Sequence, residues 1–518
     1  MNLFPCLALP LSLLLSVGTS SPAALSTKPA AKGTGKLQGV WVFSQAPDYP
    51  GLRGLQLQVK EGRLVGTLTT DWYGPMPMHD LTVQDGVARF GIHNGNPRVP
   101  MKTWTAQIDP DGQLHVVGDL WYEHVDLKAR KGTGADASRF AFKVAPLPAW
   151  SALKPDGLAQ TPPMGWSSWN KFAEKIDDAT VRAIADRMVS SGLRDAGYVY
   201  VNIDDGWQGT RNANGVLQPN AHFPDMKALA DYLHARGLKL GLYSSPGPKT
   251  CAGFEGSYGH VEQDARTWAA WGIDYLKYDL CSGEGHFLTE ESRKAAYLAM
   301  GQALRRTGRP IVYSLCQYGR DQVGTWGREV GGHLWRTTGD ITDDYKTMAE
   351  IGFDRNGRAE DAGPGGWNDP DMLEVGNGGM SLEAYRTHMS LWAISAAPLI
   401  MGHDLRSMSD GVLDLLTNLE VIAIDQDPLG RQGRRVRRLG DLEVWSRPLA
   451  DGSVALAAFN RGTTSAIVDL QPQDAGLKRI DRARDPWAHQ ESDFRGGAIT
   501  VPPHGVFLLR VNGPRAAS

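Results

Sequence analysis

The chain has 518 residues, enough for two or three domains, and its 42% hydrophobic and 21% charged residues are the balance of an ordinary globular protein. A net charge of −3, from 54 Lys and Arg against 57 Asp and Glu, excludes the composition of a nucleic-acid or membrane-surface binder. Beyond the first residues no stretch of 18 uninterrupted apolar residues occurs, so no later segment has the pattern of a membrane span.

Residues 1–25 read as a secretory signal peptide. Leu7–Val17 is apolar and Leu-rich, and Pro22-Ala23-Ala24 offers a cleavage zone, although no Lys or Arg precedes Lys28. A secreted or periplasmic location follows. Residues 26–37 are small and polar, a linker. Residues 38–150 alternate with period two, as in Leu55–Lys60 and Leu64–Thr69 across the Glu61-Gly62 turn, and form an N-terminal all-β domain. Its aromatics, Trp72, Tyr73, Trp104, Trp121 and Tyr122, suit either a packed core or a sugar platform.

Residues 155–430 alternate strand-like and helix-like runs. Strands are expected at Met164-Gly165-Trp166, Tyr198–Asp205, Leu238–Tyr243, Ile273–Asp279, Pro310–Leu315, Leu334–Asp340, Gly365-Gly366-Trp367 and Pro398–Met401. Helical spacing lies between them, for example Val181, Ile184, Ala185 and Met188. Eight such units predict a (β/α)8 TIM barrel of the α/β class. An open dinucleotide-binding sheet would need a Gly-rich phosphate turn after its first strand, and none is present. Residues 431–518 return to β pattern and predict a C-terminal antiparallel β domain, a sandwich packed on the barrel. The basic run Arg431–Arg438 reads as a solvated junction between the two.

Cys251 and Cys281 follow two neighbouring expected strands and are candidates for a disulfide in an oxidising compartment, the alternative being buried thiols. Cys316 is left over once Cys6 departs with the signal. No spacing suggests a metal site, and no cofactor motif occurs.

In a barrel the loops after the strands open on one face, so the strand tips converge. They carry Trp166, Trp169, Asp204, Asp205, Tyr243, Lys277, Asp279, Gln317, Tyr318, Arg336, Asp340, Asp369, Asp371 and Met372. Carboxylates that accept hydroxyl protons, cations and flat aromatic walls suit a monosaccharide, and two spaced Asp can run glycoside chemistry. The competing reading of Asp279 and Asp340, and of Asp204-Asp205, is helix capping. Trp207 and Trp367 read as packing, and His403 and Asp404 as structural.

Five ordered motifs carry a resemblance: Met164–Asn170 (MGWSSWN), Ile203–Trp207 (IDDGW), Tyr275–Asp279 (YLKYD), Trp335–Ile341 (WRTTGDI) and Gly365–Leu373 (GGWNDPDML). From about residue 158 to 512 the chain resembles glycoside hydrolase family 27, which contains α-galactosidases and α-N-acetylgalactosaminidases. The resemblance implies Asp279 as nucleophile and Asp340 as general acid/base of a retaining exo-glycosidase acting on terminal α-D-galactosyl residues of an oligosaccharide or polysaccharide. It needs no cofactor or metal, and no nucleic-acid or membrane partner. The resemblance further implies that Asp204 and Asp205 hold the 4- and 6-hydroxyls and that Lys277 and Arg336 reach the other edge. Trp169, Tyr243, Asp371 and Met372 would line the pocket, and Cys251–Cys281 would be a disulfide beside the nucleophile strand. Lys277 is expected to favour the ionised form of Asp279, and the charge of Asp279 to raise the pKa of Asp340.

One motif departs. Where the family commonly has Cys-Glu-Trp, this chain has Cys316-Gln317-Tyr318. Gln317 is expected to meet the sugar's 2-substituent, and restoring Glu there to improve galactoside use. The departure leaves α-N-acetylgalactosaminidase, β-L-arabinopyranosidase or isomaltodextranase specificity, or a non-catalytic sugar-binding protein, as alternatives.

Overall fold

The structure, a computed structural model, describes residues 34–43, 51–93, 101–120, 123–140 and 145–516. The expected signal peptide, most of the linker, and Trp121 and Tyr122 lie outside them. Thr34–Leu37, assigned to the linker, is instead a helical turn. Leu37 is apolar and buried, and its carbonyl accepts the Trp41 indole N–H at 2.8 Å, which ties it to the first strand.

The N-terminal region is a closed, all-antiparallel barrel of β1 (Gly39–Phe43), β2 (Leu52–Lys60), β3 (Arg63–Thr70), β4 (Gly74–Gln84), β5 (Val87–Ile92), β6 (Lys102–Ile108), β7 (Leu114–Leu120) and β8 (Glu123–Lys131). Pairing of β1 with β8 closes it and removes both sheet edges. Glu61 and Gly62 both have positive φ (51° and 73°), the backbone a two-residue hairpin needs. Trp41 and Trp104 are buried among its core residues, and Trp72 and Tyr73, in the turn between β3 and β4, are buried against the same cluster, so these aromatics are packing residues.

Eight parallel strands follow: β9 (Met164–Ser167), β10 (Tyr200–Asn202), β11 (Lys239–Ser244), β12 (Tyr275–Asp279), β13 (Val312–Cys316), β14 (Leu334–Arg336), β15 (Trp367–Asp369) and β16 (Leu399–Met401). They pair in chain order, β16 returns to β9, and a parallel bridge between Leu373 and Met401 draws the last two together. The result is the expected curled (β/α)8 sheet. Inward residues at the strand starts, Tyr275, Val312, Leu334 and Trp367 with Ala396, pack into a plug that fills the lower end. The strand tips above it are left for polar groups. One unit differs from expectation. Between β13 and β14 the chain makes two 3-10 turns, Arg320–Thr325 and Gly327–Val330, in place of an α-helix.

The C-terminal strands are β17 (Arg434–Leu439), β18 (Leu442–Pro448), β19 (Val454–Asn460), β20 (Ala466–Leu470), β21 (Arg482–Asp485), β22 (Gln490–Ser492), β23 (Gly497–Val501) and β24 (Val506–Asn512). They form a six-stranded antiparallel sheet over a two-stranded one. One face of the larger sheet, with Trp445, Ala457, Phe459 and Leu508, joins the core of the (β/α)8 barrel. The other face packs on Val468, Leu470 and Val501 of the smaller sheet. Within the basic run, Arg435 and Arg438 pair with Asp354 and the buried Glu443, as does Arg461. The junction is thus a charge cluster rather than a free cationic face.

Candidate active site

Lys277 and Asp279 are two residues apart on β12, so both side chains point into the barrel from one strand face. The register sets Lys277 beside Tyr243 and Ser314, and Asp279 beside Cys316. Asp279 is buried. Tyr243 donates to its Oδ2 at 3.1 Å, and Tyr318 donates to its Oδ1 at 2.6 Å. Burial pushes its carboxyl up to about 6. The charges of Lys277 and Arg336 and the Tyr318 hydrogen bond pull it down, while the charge of Asp340 pushes it further up. The charge of Asp340 thus reaches Asp279 across the pocket.

Asp340 lies four residues beyond Arg336 at the mouth, with a 65% exposed side chain at the neck of an otherwise deep pocket. Arg336 is buried and holds two carboxylates, Asp340 at 2.9 Å and Asp371 at 2.8 Å. The low-dielectric walls oppose ionisation of Asp340, but the Arg336 guanidinium, with Lys277 behind it, wins and keeps its carboxyl below the usual range. The expectation that the charge of Asp279 raises Asp340 is therefore corrected: the groups that set Asp340 are its burial and the cations Arg336 and Lys277, and the cations prevail. Burial raises Asp371. Its backbone sits at φ 88°, and its Oδ2 accepts the Ile341 N–H at 2.9 Å, fixing the loop that bears Asp340.

Lys277 donates to Asp204 Oδ2 at 2.8 Å, so its direct partner is this carboxylate, and it acts on Asp279 through space. Asp205 accepts the Ala252 N–H at 2.7 Å. Burial, with the charges of Asp204 and Asp279, lifts its carboxyl to about 7. A cavity at the barrel centre is lined by Asp204, Lys277, Arg336, Asp371 and Met372, together with Asp369. Trp169 stands half-buried just past the tip of β9. Neither Asp204-Asp205 nor Asp279 serves as a helix cap: the first pair precedes a hairpin, and the Asp279 oxygens are taken by tyrosines. Trp207 and Trp367 are fully buried packing residues, and Asp404 caps the turn Leu405–Ser407.

Gln317 is corrected. Its Nε2 donates to the Arg320 carbonyl at 2.9 Å and its Oε1 accepts the Arg320 N–H at 2.6 Å. Both ends of the amide are thus committed to the main chain. The residue of this segment that turns to Asp279 is Tyr318. Its place next to Gln317 just past a strand end was visible in the sequence, but the turn that aims it was not.

Cys251 and Cys281 form a disulfide across 30 residues. They and Asp279 are the one grouping with metal-ligand spacing among the described residues, and the disulfide consumes both sulfurs, so the donor set does not suit a metal. Cys316 is a buried free thiol. The N-terminal barrel meets the rim that carries this disulfide. A Cβ at Gly253 would come within 2.8 Å of the Trp72 ring, a Cβ at Gly285 would overlap the Tyr73 carbonyl, and His286 Nε2 lies 3.3 Å from the Trp72 carbonyl.

Comparison with known proteins agrees with this geometry. Residues 161–427 match the family model described as alpha galactosidase A, and residues 439–511 match the alpha galactosidase C-terminal beta sandwich domain. An alpha-galactosidase of Cyamopsis tetragonoloba is 49% identical over 356 residues, 67% of this chain and 85% of its own length. The crystal structure of alpha-galactosidase I from Mortierella vinacea superposes with a TM-score of 0.65 at 36% identity, over 70% of this chain and 100% of its own. A structure from Bacteroides fragilis, 32% identical with a TM-score of 0.65, spans 92% of this chain and 98% of its own. The fold, the two matched regions and the shared sequence make this chain a member of glycoside hydrolase family 27, the family of the α-galactosidases.

Proposed function

We propose that the protein is a retaining exo-α-galactosidase that releases terminal α-D-galactose through a covalent glycosyl-enzyme. The observation that carries the reading is a buried carboxylate, Asp279, gripped by two tyrosine hydroxyls, together with a solvent-facing one, Asp340, which is held by Arg336 and whose charge reaches Asp279. A retaining glycosidase needs one carboxylate as nucleophile and one acid that can exchange protons with the leaving group and with water.

In the first step an Asp279 oxygen bonds to the anomeric carbon, the glycosidic C–O bond breaks, and the leaving oxygen takes the proton of Asp340. In the second, the Asp340 carboxylate takes a proton from water, the hydroxyl oxygen bonds to the same carbon, and Asp279 departs as a carboxylate. The two carboxyls share a proton between them. Arg336 favours negative charge on Asp340. A bound sugar covers that exposed side chain and strips its water, which raises its proton affinity. Asp279, already buried, changes less, so substrate binding moves the proton towards the acid. Once the ester forms, the charge at Asp279 is gone and Asp340 releases its proton more readily.

Asp204 and Asp205 serve as acceptors for the 4- and 6-hydroxyls, with Lys277 orienting Asp204. An axial 4-hydroxyl selects galactose over glucose. Trp169, Tyr243 and Met372 form apolar and aromatic walls. A secreted or periplasmic location is supported by the Leu7–Val17 apolar stretch and by the disulfide. No helix among the described residues is long and apolar enough to cross a membrane.

The deciding experiment is Asp279→Ala assayed on nitrophenyl α-galactoside, with and without azide. Loss of turnover, restored by azide with formation of the β-galactosyl azide, is the expected result. Retained activity in the variant overturns the assignment.

A further inference from the structure

Gln317 and Tyr318 depart together from the Glu-Trp that the family commonly carries, and the structure links the two. Tyr318 lies at φ 62° and is followed by Gly319 at 74°, then by Asp321 and Gln322 at 53° and 52°. Left-handed backbone is unfavourable for a bulky side chain, so something must hold the turn. Gly319 leaves no room for a Cβ against the Thr337 carbonyl. Arg293 grips Asp321 with two bonds, at 2.6 and 2.8 Å. The Gln317 amide closes the turn by accepting from and donating to the same residue, Arg320. A glutamate can accept the Arg320 N–H, but its second oxygen would face the Arg320 carbonyl with no proton between them. The amide is therefore the side chain that fits, and its effect is to point the Tyr318 hydroxyl at Asp279 Oδ1, at 2.6 Å.

We propose that Gln317 and Tyr318 act as one unit, in which the Gln317 amide braces a left-handed turn and Tyr318 is a hydrogen-bond donor that orients the nucleophile Asp279 and favours its charged form. This rests on the assignment of Asp279 as nucleophile. Tryptophan at this position has no hydroxyl to place there. Tyr243 occupies Oδ2 and Tyr318 occupies Oδ1, so the carboxylate has one donor on each oxygen. The bonded oxygen that attacks exchanges its hydrogen bond for the new C–O bond, and the other keeps the carboxyl plane fixed. Gln317 touches neither substrate nor nucleophile and is a positioning residue.

The charged groups that act on Asp279 are all in place without Tyr318. Lys277 on the same strand, Arg336 on β14 and Asp340 beyond it act on Asp279 directly. Asp205 at the tip of β10 and Glu284 in the turn Cys281–Gly285 also face it, both raised by burial to about 7, with the neutral Cys316 thiol and Tyr243 as close neighbours. Removing one neutral donor leaves that charge set unchanged. Its effect on the titration then has one sign, because a lost hydrogen bond to a carboxylate raises its pKa.

The test is the pH profile of kcat/KM for Tyr318→Phe, Gln317→Met and the double variant on nitrophenyl α-galactoside. In Tyr318→Phe the limb that reports Asp279 moves towards neutral pH and kcat/KM at its optimum falls on the order of 10- to 100-fold, the usual size of a lost hydrogen bond to a charged group. Gln317→Met, which removes the amide without adding charge, moves the limb in the same direction. It adds no further shift in the Tyr318→Phe background, since it acts through that hydroxyl. An unmoved limb with kcat/KM within about twofold of the parent in Tyr318→Phe overturns the proposal. If that variant folds poorly, seen as a lowered Tm, Gln317→Met decides, because it keeps every aromatic contact: an unmoved limb there also overturns it. Failure of the nucleophile assignment shows separately, as activity in Asp279→Ala.

Discussion

Arg336 Nη2 sits 2.9 Å from Asp340 Oδ1, so the carboxyl proposed as the proton donor is held by a cation that favours its ionised form. The same guanidinium is anchored on Asp371, and at 2% exposure it has no water to turn to. On the proposed mechanism, an acid placed like this needs substrate to become an acid. That arrangement leads to the first prediction.

Asp340→Ala is expected to lose activity unevenly. Hydrolysis of substrates with poor leaving groups, such as alkyl galactosides and oligosaccharides, falls by about 10²- to 10⁴-fold. With a dinitrophenyl leaving group the first step needs no acid, and the glycosyl-enzyme accumulates because its hydrolysis lacks a base. Intact-mass spectrometry after rapid quench should find the chain heavier by one hexosyl unit. Equal losses across leaving groups would remove Asp340 from the acid role.

The pH–rate profile should be a bell. The pair works with one proton on it, so the low-pH limb reports Asp340, which Arg336 holds below the usual carboxylate range, and the high-pH limb reports loss of the shared proton from Asp279, with kcat/KM falling through about pH 6. A flat profile between pH 5 and 7 would contradict this.

Stability should run the same way. Burial raises Asp279 and Asp369 to about 6, and Asp205 and Glu374 to about 7, so each holds its proton more tightly folded than unfolded. Their stabilisation is complete below the unfolded value near 4 and is lost as pH rises through 6 to 7. Tm measured without ligand should fall between pH 5 and 8. A rise across that window would show that these groups do not dominate.

The disulfide joins the loop after β11 to the turn after β12, and the Tyr243 hydroxyl lies 3.1 Å from Cys281 Sγ. Closing about thirty residues of chain contributes on the order of 3–4 kcal/mol by the loop-entropy estimate. Replacing both Cys251 and Cys281 by Ala should lower Tm by several degrees and reduce kcat more than a surface double mutation does. An unchanged Tm would show that the rim is held without it.

Gly253→Ala probes the N-terminal barrel. Gly253 has φ 93° and a Cβ there would press on Trp72, while its neighbour Ala252 donates to Asp205. Strain of about 1–3 kcal/mol at this contact should loosen Asp205. KM is then expected to rise several-fold with kcat nearly unchanged. Equal changes in both, or none, would mean that the N-terminal barrel does not support the sugar pocket.

Much of this molecule was legible in its residues. Period-two runs such as Leu55–Lys60 and Leu64–Thr69 marked the N-terminal region as all-β, and alternating strand and helix spacing marked β9 to β16, because burying one face of an element imposes its period on the sequence. Asp204, Asp205, Lys277, Asp279, Arg336 and Asp340 were legible because strand ends in a barrel converge whatever the details of packing. Gln317 was misread for the complementary reason. Its direction depends on a 3-10 turn replacing a helix, on Arg293 reaching Asp321 from another element, and on the Thr337 carbonyl excluding a side chain at Gly319.

By itself the sequence determined which side chains the pocket holds, since strand parity and the barrel's single open face place them locally. The tertiary structure alone decided how those groups share charge. Lys277 turned to Asp204, Arg336 took Asp340, and Tyr318 took Asp279. Those choices depend on distances of a few ångströms in a low-dielectric pocket between residues 73, 4 and 39 positions apart in the chain, and no periodicity in a one-dimensional sequence encodes such distances.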